Sequence, residues 1–426
     1  MIYVVTNALL YLALLMVYWR YKKVFDIGTL LILMWLIVST AGVLYYNESP
    51  ASWHLQLWPF LYIFFCFLLL SRYILGHKYS DKAIARLAYS RNRVVDLFCW
   101  FYTVCVVIKL VNEGLNFSAL SLIQVVEDTA EAYEEHLTYE FQGGPIAYIA
   151  TVYEQYFSKV CIIWGFNSLC QRQKLKSILF LAFPFIAAFG DGIMLGSRNT
   201  IVMAIIVYVC AYVLYRRLIP KKTKKVLLFS SLAIGSVVVL YLLAITESRF
   251  GIDTQAAEDN SAMAYMGQSM LQFNYGLADS MRKTYDGAMT FKNIYPLVGI
   301  DIPNRFSADS MLGTHIGTGF VTLIGFLVMD FGYIGTIIFC LIFPLIMKWS
   351  CLQNKGFTLP VMYIFLFYVS RMLRGSMVFS GPGADLSYFM LFIFALFLHF
   401  AMGLDKVLFG KKGKPSVNSK PYYAGE

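Results

Sequence analysis

The sequence predicts an all-α polytopic membrane protein: about eleven transmembrane helices in a single integral membrane domain over residues 1–426, with a large late extracytoplasmic loop. Three observations predict it. The composition is 59% hydrophobic and 14% charged, against roughly 45–50% and about 25% in soluble domains. Apolar runs of about 18–25 residues, the length that crosses a bilayer as helix, recur along the whole chain. Basic residues gather in alternate connections between those runs.

The first run, from Ile2 to Trp19, has no basic residue before it and no small-residue cleavage site, so it reads as a retained helix rather than a signal peptide. Further helices are expected at 27–46, 54–75, 94–112, 146–169, 177–195, 199–215, 226–245, 318–347, 357–374 and 386–404. RYKK at 20–23 separates the first two. The stretch from Arg72 to Arg93, RQKLK at 172–176, RRLIPKKTKK at 216–225, Lys348 with Lys355, and the tail from Lys406 are the other basic connections. Together they hold 25 of the 35 Lys and Arg. The positive-inside rule makes them cytoplasmic, which puts the N-terminus outside and the C-terminus in the cytoplasm. This distribution turns the net charge of +10 away from nucleic acid and toward a membrane.

The opposite connections are acidic or polar. NESPASWH at 47–54 is short. Residues 113–145 carry VEDTAEAYEEHLTYE, read either as an amphipathic helix on the outer surface or as a solvated linker. The segment 246–317 is long enough to be functional rather than a connector. The eight Cys fall in spans or at cytoplasmic ends, so no disulfide framework is implied. The five His lack the i, i+4 pairing of a helical zinc site. No phosphate-cradling glycine loop and no internal repeat is present, so neither metal nor cofactor is expected.

Ten basic residues defy the inside pattern: Lys109, Lys159, Arg198, Arg249, Arg282, Lys283, Lys292, Arg305, Arg371 and Arg374. Six are Arg, whose planar fork of donors matches phosphate. Arg198 follows Gly196 and Ser197 at the mouth between two spans, where a helix start offers free N–H groups to an anion. It can instead snorkel to headgroups or pair with Asp191. Arg249, in TESRFG, is a substrate contact or a simple anchor. Arg371 and Arg374, in SRMLRGS, share one helix face and can grip one anion together, or they line a solvated edge. Glu154 and Lys159 lie inside one span. Lys159 is expected to pair with Glu154 or another acid. His315 and Asp330 flank a segment that turns from polar to apolar before Gly332 and Gly335, as in a broken or closely packed helix.

The GSR turn at 196–198, the long outer loop late in the chain, and THIGTGF…DFGYIG at 314–335 resemble the bacterial O-antigen polymerases, also called oligosaccharide repeat-unit polymerases. The resemblance covers most of the chain in layout and these short motifs in residues. It implies a bacterial inner-membrane glycosyltransferase that joins undecaprenyl-pyrophosphate-linked repeats at the outer face. Chain-length regulator and flippase proteins are its implied partners. In O-antigen ligases a His-Asn pair stands in a comparable loop; here Ile316 follows His315, which favours the polymerase and weakens any role carried to His315. A flippase should spread polar positions through mid-depth, whereas these charges crowd one side.

On this reading the pyrophosphate is bound by Arg198, Arg249, Arg371 and Arg374, with Asp191 orienting Arg198. The arginines stabilise the leaving group without a metal. The catalytic candidates are His315, Asp330 and Arg249, and the base is sought among His315, Asp253, Glu258, Asp279, Asp301 and Asp309. Phe273, Tyr275 and Tyr285 either stack on sugar or pack the loop.

Overall fold

The computed structural model describes residues 1–48, 54–76, 81–116, 145–194, 198–250, 262–278, 284–288, 290–291, 295, 299, 321–353, 357–376 and 387–409. In chain order the helices are α1 (Ile2–Lys22), α2 (Ile27–Glu48), α3 (Leu57–Gly76), α4 (Asp81–Ala88), α5 (Arg93–Asn116), α6 (Pro145–Cys170), α7 (Lys174–Met194) and α8 (Arg198–Tyr215). They continue with α9 (Lys221–Phe250), α10 (Ala262–Gln272), α11 (Leu323–Gln353), α12 (Leu359–Arg374) and α13 (Ser387–Leu408). A helix occupies each of the eleven expected positions. The short α4 and the buried α10 are additional. No strand is present among the described residues.

Six of the described helices, α1, α2, α3, α5, α7 and α11, contain segments long and apolar enough to cross a membrane. Shorter apolar stretches lie in α8 and α13. The protein is a membrane protein, and its many exposed apolar side chains, such as Ile334 and Leu240, suit a lipid surround.

Local chemistry sets where helices stop and start. Lys23 adopts the left-handed conformation (φ 52°) and returns its N–H to Trp19 O at 2.9 Å, closing α1. The Asp26 carboxylate accepts the Thr29 N–H at 2.9 Å and opens α2. Asn92 does the same for α5, accepting from Val95 N–H at 2.9 Å.

Polar contacts join connections at the same end of the bundle. The Arg216 guanidinium donates to Phe25 O, tying the α8–α9 connection to the α1–α2 connection. Gln171, between α6 and α7, donates to Ala88 O at 3.0 Å and Ser90 O at 2.8 Å, after α4. Asp405 near the end of α13 accepts the Arg93 N–H at 2.8 Å. These are the connections rich in Lys and Arg, and we call this the basic end. At the opposite end Asn274 exchanges two hydrogen bonds with the Gln56 backbone, at 2.6 and 2.9 Å. There too the Leu323 N–H meets Gly375 O at 2.8 Å, joining the start of α11 to the end of α12.

The core is aromatic. Tyr11, Trp35 and Phe67 from α1, α2 and α3 are fully buried against one another. The Trp35 indole donates to Met372 O at 3.1 Å, so α12 joins the same core.

Within the segment 246–317, residues 262–278 are not a surface cap. α10 runs into a π-helical turn at Phe273–Leu277 and packs closely on α2. A β-carbon on Gly267 would lie 2.6 Å from the backbone of Ala41 and Gly42, so the two backbones meet directly. Met270, Leu271, Phe273 and Leu277 are buried. Asn7 donates to the Met270 sulfur at 3.1 Å and to Ser39 at 3.2 Å, knitting α1, α2 and α10.

Candidate functional site

The end of the bundle opposite the basic connections holds three polar arrangements. The first joins α5, α6 and α7. Lys109 is buried, and its ammonium reaches Glu154 Oε2 at 3.2 Å and the Asp191 carboxylate. Tyr102 donates to the other Glu154 oxygen at 3.3 Å. Both Glu154 oxygens are thus engaged, and Asp191 is held by a lysine 82 residues away in sequence. Glu154 therefore pairs with Lys109, whereas the sequence offered Glu154 or another acid as the partner of Lys159. Two charges on neighbouring helices have no sequence spacing to betray them. Asp191 serves Lys109, which fixes the end of α7.

The second arrangement is cationic. α8 packs between α7 and α12, and α12 packs on α6. Arg198 is the first residue of α8, and Arg371 and Arg374 are in the last turn of α12. These neighbouring helices run in opposite directions, so the three arginine positions share one end. The Arg198 side chain lies outside the described residues. Arg374 is buried. The Arg371 guanidinium stands over the Phe367 ring at 5.1 Å from its centroid. Lys159 approaches the same ring from α6, at 5.8 Å. Sequence reading missed this convergence; its faint signal is an aromatic residue four positions before Arg371, one helical turn below it.

The third arrangement is the break in α11. Gly332 has φ 69° and ψ 179°, a conformation essentially restricted to glycine, and it splits the helix just after Asp330. Asp330 is fully buried and accepts the Thr290 N–H at 2.9 Å. Tyr285 N–H donates to Met329 O, and Gly287 N–H to Asp330 O, each at 3.0 Å. The break thus frees carbonyls that the segment 284–291 captures. Burial, and then the Asp330 carboxylate nearby, raise the phenols of Tyr285 and Tyr295 above their ordinary value, so both stay protonated. Phe273 and Tyr285 are buried and pack the loop, while Tyr275 is exposed.

The described structure brings Asp191, Arg198, Arg371 and Arg374 to one end of packed helices. Arg249 lies next to the end of α9, and its side chain lies outside the described residues. His315, Asp253, Glu258, Asp279, Asp301, Asp309 and most of the acidic stretch 113–145 also lie outside them. Compared with known proteins, the chain matches no protein-family model, no curated protein and no solved structure.

Proposed function

We propose that this protein polymerises undecaprenyl-pyrophosphate-linked oligosaccharide repeats at the outer face of the bacterial cytoplasmic membrane, moving the growing chain onto a new lipid-linked repeat. Eleven spans, an outer N-terminus and a cytoplasmic C-terminus belong to this reading. It is supported above all by one observation: α8 and α12 pack side by side, with Arg198, Arg371 and Arg374 at their common end. Arginines in a partly dry site match a departing pyrophosphate, whose charge grows as the glycosidic bond breaks. The electron pair of that bond leaves with the pyrophosphate oxygen. The acceptor hydroxyl attacks the anomeric carbon and loses its proton to a base, for which His315 and the loop carboxylates are the candidates. The break at Gly332 and the buried Asp330 belong to the scaffold of this end.

Purified protein given only the lipid-linked repeat, with no nucleotide and with a chelator, is expected to form a ladder of products. A ladder that needs a divalent metal removes the arginine-only mechanism. A single transfer to lipid A core, with no lengthening, replaces polymerase with ligase. In cells, Arg198→Ala is expected to abolish long chains with the protein still in the membrane, and Arg198→Lys to impair them, since a point charge cannot supply two parallel hydrogen bonds. A reporter at Lys222 is expected to read cytoplasmic and one at Asp259 external. External labelling at Lys222 overturns the orientation.

A further inference from the structure

At the basic end, α1 is buried along one face, through Val4, Tyr11 and Tyr18, which recur every seven residues. Its last turns leave a groove of about 370 Å³ against the start of α2. Leu15, Met16 and Trp19 of α1, Phe25 of the connection, and Thr29 and Leu33 of α2 line it. The Thr29 hydroxyl donates to Val24 O at 3.3 Å and to the Asp26 carboxylate at 3.2 Å, so it is turned to the connection and the wall that remains is apolar. Met16 and Trp19 are exposed, so the groove opens toward the bilayer. Its depth is small: Leu15 lies about 7.5 Å below Arg20 along the helix. Cations stand at its lip. Arg20 follows Met16 by one turn on the same face, and Lys23 closes α1; both are exposed. Arg216 arrives from the α8–α9 connection. It donates to Phe25 O and stands over the Phe25 ring at 5.9 Å from the centroid, so a wall residue of the groove is also its anchor. A guanidinium has five N–H donors, and one carbonyl does not exhaust them. The acid of this connection, Asp26, accepts from the Tyr18 hydroxyl and the Thr29 N–H, each at 2.9 Å, and sets one negative charge against Arg20, Lys23 and Arg216.

We infer that this groove and its lip bind an anionic phospholipid, with the upper part of one acyl chain against the apolar wall and the phosphate among Arg20, Lys23 and Arg216. The two halves of the site match the two halves of that ligand: apolar surface at membrane depth, then cations within one turn of it. A zwitterionic lipid fits the wall as well, but it brings a cation of its own to a lip that is already positive. A second copy of α1 would cover the wall and set the same cations beside each other, where like charges repel. The bound lipid would pack α1, a helix with little buried surface, onto α2. The site lies at the basic end, away from the arginines of the proposed function.

The test is photo-crosslinking of the purified full chain in vesicles of equal parts phosphatidylglycerol and phosphatidylcholine. A benzophenone amino acid replaces Met16 at the groove or, as a reference, the exposed Ile334 of α11. Mass spectrometry of the adducts reads which lipid is attached. Relative to Ile334, the Met16 position is expected to capture phosphatidylglycerol over phosphatidylcholine by about fivefold or more, the preference that a single cation near the headgroups supplies. Arg20→Gln combined with Lys23→Gln is expected to bring the ratio close to that at Ile334. With the basic residues intact, raising sodium chloride roughly tenfold is expected to lower it, a readout that survives if the double variant fails to fold. Equal ratios at Met16 and Ile334 overturn the anionic lipid. A ratio that stays high in the folded double variant, or that ignores salt, overturns the cationic lip. Crosslinking of Met16 to a second copy of the chain makes the groove a protein interface and overturns the lipid as its occupant.

Discussion

Lys109 and Lys159 are both lysines within long helices, yet their surroundings differ. Lys109 is buried between two carboxylates, from α6 and α7, with a tyrosine completing the hydrogen bonds. Lys159 lies against an aromatic ring that Arg371 also covers, on a more open seam. In a medium that screens poorly, a cation with two anions is a strut, because removing it strands like charges. The difference teaches that position along a helix does not by itself say what a lysine does in a membrane protein; the groups that neighbouring helices bring to it do.

The largest expected effect breaks the strut. Lys109→Met leaves Glu154 and Asp191 facing each other without a cation, and is expected to destabilise the protein by about 3–5 kcal/mol. Denaturant or thermal unfolding of the protein in detergent measures it. Arg371→Met, at a partly accessible position in the last turn of α12, is expected to cost less than Lys109→Met in the same assay. Equal losses at the two positions would erase the contrast.

A smaller effect sharpens it. Adding Glu154→Gln to Lys109→Met removes one of the stranded charges, so the double variant is expected to recover about 1–2 kcal/mol of what the single variant loses. A double-mutant cycle reads the coupling directly. Strict additivity would mean that the two groups do not act as a unit.

The smallest effect is one of salt. The buried strut is screened little, so unfolding midpoints are expected to move by only a few degrees between roughly 0.05 and 0.5 M sodium chloride. Pyrophosphate binding at the arginines of the proposed function is expected to weaken clearly over the same range. A binding curve indifferent to salt would place the anion elsewhere or make its recognition uncharged.

Part of the molecule was legible in the residues because local forces write it. Runs such as Ile2–Trp19 mark helices by length and apolarity alone, and a helix occupies each of the eleven positions read in this way. A break near Asp330 was one of two readings that the closely spaced glycines allowed, the other being close helix packing, and the structure shows the break at Gly332. α10 was not legible. Its sequence, AMAYMGQSMLQ, is short and modestly apolar, and only direct backbone contact at Gly267 and a shared methionine sulfur bury it against α1 and α2. The partners of Asp191, Glu154 and Lys159 were not legible either.

The sequence by itself determined the class of the protein, the positions of the eleven long helices, the alternation of basic connections, and the arginine positions that break that alternation. These follow from hydropathy and charge counted along one chain. The tertiary structure alone decided that Lys109 takes both Glu154 and Asp191, and that Lys159 turns to α12 and meets Arg371 over Phe367. It also decided that α8 brings Arg198 to the end of α12. The physical reason is that a helix presents charge all around its axis. Which face finds an acid, a ring or a second cation depends on the rotation and neighbours of each helix in the bundle, and those are set by packing among side chains distant in sequence.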